Sequence, residues 1–261
     1  MKPPRLWPGM AVKLGVSLLL LAGVGALLCA APREQVMGSY STSLSARSPG
    51  QRANARRAAR ALEGVILPPG SEFSFNRAVG PWTADRGYVL APVSYEGELI
   101  VDWGGGVCQT STTLYNAALL AGLEIVERER HSWAPRYVPP GLDAAVAVSS
   151  ADLRVRNPYP WPVRLHALLD GEGLGFEIRG GLARPVAAVQ GVLEEALPPE
   201  QVVQPDSALP RGGRHPAVRG RPGARVSVYR TYLRGPRRGC RELVSRDSYP
   251  PMARVVWAPA D

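Results

Sequence analysis

From Leu14 to Ala31 eighteen consecutive residues carry no charge, with Lys2, Arg5 and Lys13 ahead of them and Arg33 and Glu34 behind. At 1.5 Å of rise per helical residue, such a run just crosses roughly 30 Å of hydrocarbon. The basic residues before it keep the N-terminus in the cytoplasm. Residues 1–35 are therefore expected to form an export signal or membrane helix, leaving the fold to the residues after them, outside the cytoplasm. Cys29-Ala30-Ala31 offers small residues to a signal peptidase, but Pro32 obstructs a cut after Ala31, which favours an uncleaved anchor. The bulky Leu28 argues against lipidation of Cys29.

Glycine and proline fill 54 of the 261 positions, about one in five where an average nearer 12% is usual. The exported part must be rich in turns. No heptads and no Gly-X-Y period are present, which excludes coiled coil and collagen. The net charge of +9 is arginine almost alone, the only lysines being Lys2 and Lys13. That bias runs through the whole composition and gives no reason to invoke nucleic acid. Between Arg211 and Asp247 lie eleven arginines and two acids, Glu242 and Asp247. Such a stretch suits either an anionic polymer or membrane surface, or a plain solvated strand face.

Ser48-Pro49 supplies a helix N-cap and a first-turn proline, and the spacing predicts a helix over Gln51–Leu62 stopped at Gly64. Glu72 to Asn76 alternates like a half-buried strand. A further strand is predicted over Ser94–Val101, with a bend at Glu96-Gly97, then others at Ile125–Arg128 and Leu153–Arg156. Pro162–Leu168 and Leu174–Arg179 read as a hairpin around Asp170–Gly173. The Pro-, Gly- and Arg-rich stretch from Leu197 to Gly223 reads as a linker, and the tail resumes strand alternation at Arg225–Arg230.

The stretch that carries chemistry is Gly104-Gly105-Gly106-Val107-Cys108-Gln109, leading into a helix that ends at Gly122. Three glycines permit positive φ and close approach of another chain. A cysteine in the first turn of a helix has its thiolate stabilised by unpaired N–H groups, which also suit an oxyanion. His131, twenty-three residues on, is the candidate base; His166 falls in a predicted strand and His215 in the linker. Asp143, Asp152 and Asn157 are all available to orient it. The rival readings are a small buried cysteine and a Cys108–Cys240 disulfide, both natural for an exported chain. No metal is expected, because Cys108, His131 and Cys240 do not form a ligand cluster, and no motif calls for a cofactor. Tyr115 and Asn116 read as packing and capping residues of the helix, and Trp103 and Trp133 as walls of a pocket or as core.

Several stretches together resemble the VanW family: Pro69–Asn76, Gly104–Asn116, Glu127-Arg128, His131-Ser132, Tyr137–Pro139, Gly141–Ala144 and Asp152-Leu153. The resemblance implies an exported bacterial envelope protein that acts on peptidoglycan as a cysteine L,D-transpeptidase-like acyltransferase, or else a non-catalytic envelope-binding or scaffolding protein linked to glycopeptide resistance. It further implies Cys108 as nucleophile and His131 as proton carrier. Gly104, Gly105, Gly106, Val107 and Gln109 become the oxyanion loop, and Arg128, Arg136, Tyr137 and Asp143 the substrate-binding side chains. The implied partners are peptidoglycan stem peptides and, through the N-terminal helix, the cytoplasmic membrane. Val228–Thr231 and Ser248–Pro250 resemble strands of a G5-type module. The expected organisation is an anchor (1–35), a VanW-like domain (36–196), a linker (197–223) and a short β tail (224–261). The expected fold is α+β, a mostly antiparallel sheet with a Gly-rich loop leading into a site-bearing helix.

Overall fold

The computed structural model describes residues 34–95, 98–183, 185–206 and 215–259, with no account of the side chains of 94–99, 206 and 215–218. The membrane helix expected at Leu14–Ala31 lies outside the described residues. Among the described residues no helix is long and apolar enough to cross a membrane.

Ser48 caps the first helix, α1 (Pro49–Leu62), as its neighbours dictate. Its side chain accepts from the Gln51 N–H while the Gln51 side chain accepts from the Ser48 N–H, a reciprocal capping box. Ahead of it runs β1 (Gln35–Ser43). After it come β2 (Ile66–Leu67) and β3 (Glu72–Ser74). The strand expected to reach Asn76 stops at Ser74, because Ser74 caps a short helix, α2 (Phe75–Val79), and donates to Asp152 Oδ2 at 2.5 Å. The strands β4 (Leu90–Tyr95) and β5 (Glu98–Trp103) pair as an antiparallel hairpin; the bend expected at Glu96-Gly97 lies outside the described residues.

The central element is α3 (Val107–Leu120), of whose fourteen residues twelve are buried. It packs against α1 and against one face of a four-stranded antiparallel sheet ordered β1-β9-β8-β2, in which β8 (Val163–Leu168) and β9 (Gly173–Gly180) form the expected hairpin. A smaller sheet is ordered β3-β7-β6, with β6 at Glu124–Glu127 and β7 at Arg154–Arg156. Half of the buried residues of α3 are Gln, Thr, Ser or Asn, and these side chains are hydrogen-bonded, as burial requires. Gln109 donates to Thr42 and to the Ser43 carbonyl, Thr110 to the Ala55 carbonyl, Ser111 to the Ala144 carbonyl and Asn116 to the Leu142 carbonyl. The helix is thereby bonded sideways to β1, to α1 and to the loop 142–144.

The C-terminal region adds two sheets. One is ordered β10-β13-β14, from Ala187–Leu197, Gly223–Tyr232 and Arg241–Tyr249; the other β11-β15-β12, from Gln201–Asp206, Arg254–Pro259 and His215–Val218. Two expectations are corrected here. The supposed linker contains β11 and β12, whose partner β15 lies about fifty residues beyond β11 and is invisible to local composition. The α+β class is also overturned: strand makes up 44% of the structure and helix 17%, a mostly β fold. The two extra sheets tip that balance. The first of them is fastened to the core by the buried Arg230 of β13, which donates to the Leu123 carbonyl at 2.6 Å and to the Leu119 carbonyl at the end of α3, where the helix dipole favours a cation.

Candidate active site

The glycine run turns the chain from β5 into α3 under tight constraint. Gly106, the N-cap, has φ +105°, and a Cβ there would collide with the Gln51 carbonyl oxygen. At Gly105 a Cβ would stand 2.6 Å from the Pro92 carbonyl oxygen. The loop is thus wedged between α1 and β4. The buried Asn54 stitches the three together, donating to the Val89 and Gly105 carbonyls at 2.9 and 3.0 Å and accepting from the Val89 N–H at 2.9 Å. Nothing in the sequence singles out Asn54, since a polar residue on a helix reads as surface. Asn54→Ala should cost about 2–3 kcal/mol by leaving these groups unpaired in the interior; urea unfolding checks it, and wild-type stability would refute the stitching role.

Cys108 emerges at the second position of α3, half-buried. The Val107 N–H bonds back to the Gly104 carbonyl and the Gln109 N–H to the Gly106 carbonyl, so among these first-turn donors the Cys108 N–H is the one left for a ligand. The Cys108 thiol donates to the Val146 carbonyl at 3.4 Å and interacts electrostatically with the His131 ring, whose Nδ1 lies 2.7 Å from Asp143 Oδ2. The other ring nitrogen, Nε2, is thus the one left for the sulfur. Asp143 Oδ2 also accepts from the His131 backbone N–H at 2.7 Å, which fixes the ring's root as well as its tip. Of the three possible orienting partners, Asp143 fills the place. Asp152 instead caps α2, and Asn157 donates to the carbonyls of Leu67 and Trp161.

Electrostatics match the geometry. Burial pushes the Cys108 thiol up, but the hydrogen bond and charge of His131 more than reverse this and leave it below its ordinary value. Burial likewise depresses His131, yet its hydrogen bonds to Asp143 and Cys108 prevail and raise it to about 9. Burial raises the Asp143 carboxyl, and His131 and Arg128 together hold it below the usual carboxylate range. The three shifts act in one sense, each favouring a proton on His131 and negative charge on Cys108 and Asp143.

The other expected site residues are dispersed by the fold. Gln109 is buried, with Arg47 Nε donating to its side-chain oxygen at 2.8 Å, so it anchors the helix and faces no ligand. Arg128, expected to meet a substrate carboxylate, is enclosed behind Asp143 with a side chain 6% exposed; it donates to Asp143 Oδ1 at 3.1 Å and to Asp247 Oδ1 at 2.6 Å. Arg136 is exposed on the loop after His131. Tyr137 sets its hydroxyl 3.3 Å from the Cys108 carbonyl oxygen and its ring edge-on to His131 at 6.5 Å between centroids. Trp133 lies on a cleft shared with Tyr249 and Met252, and Tyr115 is wholly buried. Cys240 is exposed and both it and Cys108 are free thiols, so the expected alternative of a disulfide between them is not what the structure contains.

Residues 50–179 match the family model described as VanW like protein. The uncharacterized protein YoaR of Bacillus subtilis is 40% identical over 133 residues, a region covering 51% of this chain and 44% of YoaR. The Vancomycin B-type resistance protein VanW of Enterococcus faecalis is 32% identical over 125 residues, covering 46% of this chain and 45% of that protein. The chain therefore aligns with less than half the length of either relative. Among solved structures, the G5 domain of IgA1 protease matches 29% of this chain and 88% of its own length, at 19% identity and a TM-score of 0.22.

Proposed function

The chain belongs to the VanW-like family, and from that premise we propose that it is a cell-envelope cysteine acyltransferase of the L,D-transpeptidase kind, acting outside the cytoplasm on peptidoglycan stem peptides. The observation that carries this reading is the convergence of Cys108, His131 and Asp143 at the start of a buried helix, with His131 Nδ1 2.7 Å from Asp143 Oδ2. The glycopeptide-resistance name of the Enterococcus relative supports an envelope role.

The relay suits acyl transfer in two balanced halves. The Cys108 thiolate attacks the carbonyl carbon of an amide in the donor stem, and charge gathers on the carbonyl oxygen near the Cys108 N–H. The carbon–nitrogen bond then breaks, the departing amine takes the proton of the His131 imidazolium, and a thioester remains on Cys108. An amine of a second stem attacks that thioester, His131 takes its proton, and the carbon–sulfur bond breaks to restore the thiolate. Asp143 holds the imidazolium oriented throughout. Of the two arginines, Arg136 is exposed and is the one we assign to a stem carboxylate, whereas Arg128 is enclosed.

Two measurements test the reading. Purified protein should cross-link stem peptides, and Cys108→Ala should lose that activity; unchanged cross-linking in the variant would sink the proposal. The rate should also fall above about pH 9, where His131 gives up the proton the leaving amine needs. A profile still rising past that point would remove His131 from the role.

A further inference from the structure

The C-terminal sheet lies outside the region that matches the family, yet it touches the relay at several places. Tyr249, the last residue of β14, donates its hydroxyl hydrogen to Asp143 Oδ1 at 2.5 Å and accepts from the Gly141 N–H at 3.0 Å. Asp247, two residues earlier and on the same face of the strand, accepts from Arg128 at 2.6 Å. Arg128 in turn donates through Nε to the Asp143 carbonyl at 2.6 Å and through Nη2 to the Asp143 carboxylate. Arg221, just before β13, donates to the Ala134 carbonyl at 3.1 Å. Gly141 has φ +87° and sits so close to β13 that a Cβ would stand 2.7 Å from Val228 Cγ2. The connection from His131 to Asp143 is therefore tied to the C-terminal region at Ala134, Gly141 and Asp143.

From this we infer that β14 is a working part of the site: Tyr249 and Asp247 are positioning residues that, through Asp143 and Arg128, hold His131 in register with Cys108. The inference rests on the reading of Cys108–His131–Asp143 as the reacting relay. A residue range ending near 179 would hold the nucleophile, the histidine and the aspartate but would lack the groups that fix the aspartate.

The chemistry gives each residue a distinct signature. Asp143, Arg128 and Asp247 form a buried cluster carrying one net negative charge next to the His131 ring. Neutralising Asp247 leaves that cluster without net charge, so the imidazolium loses support and His131 gives up its proton at lower pH. Tyr249 carries no charge; its hydroxyl satisfies one carboxylate oxygen and one loop N–H, so its loss acts on the geometry of Asp143. The other groups that face the cluster are Tyr137 beside the Cys108 carbonyl, Arg47 over the Tyr137 ring, Tyr115 under Arg128, and Arg130 over the Tyr249 ring. Substituting Asp247 or Tyr249 removes none of these groups.

The experiment uses the full chain with Cys29→Ser and Cys240→Ser, so that Cys108 is its one thiol, and compares it with Asp247→Asn, Asp247→Glu, Tyr249→Phe and His131→Ala. Two readouts are followed: the His131 ring titration by NMR, and the rate of Cys108 alkylation by iodoacetamide across pH. Asp247→Asn should move the His131 midpoint down by about one pH unit, with Asp247→Glu restoring most of it. Tyr249→Phe should slow alkylation at pH 7 by about tenfold while the chain stays folded. An activated thiol in the parent that neither β14 substitution alters, in protein that remains folded, would overturn the inference and leave the relay standing. An ordinary thiol in the parent, unaffected by His131→Ala, would overturn both.

Discussion

Asp143→Ala should unfold the chain at markedly lower urea and silence the thiol in the same stroke. Asp143 is fully buried and receives five hydrogen bonds or ion pairs: from the His131 backbone, the His131 ring, Arg128, Tyr249 and, at its backbone carbonyl, Arg128 Nε. Removing the carboxylate leaves the enclosed Arg128 with Asp247 as its one carboxylate partner. Breaking a buried pair from one side typically costs about 3–5 kcal/mol, a large part of a marginal total of about 5–15 kcal/mol. Asp143→Asn keeps the shape and one acceptor, so it should cost less stability while still lowering the His131 midpoint. The pH dependence follows from the directions of the shifts. His131 is raised from 6.5 to about 9 by its partners, so its protonation stabilises the fold fully below about 6.5, a contribution lost as pH rises through about 9. Asp143 is depressed, so its contribution is present above its unfolded value near ~3.9 and is lost as pH falls through the lower folded value. Asp143→Ala should flatten the stability profile at both edges. Wild-type stability, or an unmoved histidine midpoint in Asp143→Asn, would remove Asp143 from this role.

Gly106→Ala should be strongly damaging to both the fold and the site. The backbone there has φ +105°, outside what a side chain tolerates, and the new carbon would collide with a carbonyl oxygen of α1, a contact that backbone and not a flexible tip would have to relieve. Strain and clash together should cost upwards of about 3 kcal/mol and push the first turn of α3 away from His131, so alkylation of Cys108 should slow along with the loss of stability. Gly70 is the internal control: it has φ +68°, and a Cβ there would meet nothing within 4 Å. Gly70→Ala carries the conformational penalty alone, about 1–2 kcal/mol. Equal costs at the two positions would show that packing against α1 is not what the glycine is for.

Local signals in the sequence carry far in this protein, and long-range ones do not. Ser48-Pro49 announces α1 because capping is decided within four residues, and the glycine run announces a helix start with Cys108 in its first turn for the same reason. His131 is recoverable because few histidines exist to choose from. Asp143, Asp152 and Asn157 cannot be ranked by spacing, since what separates them is which one the loop after His131 folds back to meet. Arg128 misleads for a related reason: the resemblance assigns it to substrate, and its enclosure involves Asp247, arriving from a strand more than a hundred residues away. The strands β11 and β12 are concealed in a Pro- and Arg-rich stretch because their partner β15 lies near the end of the chain. The Thr110–Thr113 run of α3 hides its own burial, because a helix face expected to be apolar is polar and satisfied sideways.

That sideways bonding of α3 bears on how the protein loses function when heated. Many enzymes carry their reacting groups on surface loops that fray first, so activity fades while the fold persists. Here the sulfur rides on the most enclosed helix among the described residues, and that helix's lateral hydrogen bonds tie it to a strand, to a second helix and to the loop behind the histidine. A local opening that frees Cys108 must break bonds in all three at once. Inactivation and global melting should therefore be a single cooperative event, with hydrogen exchange at the amides of α3 as slow as the slowest in the chain.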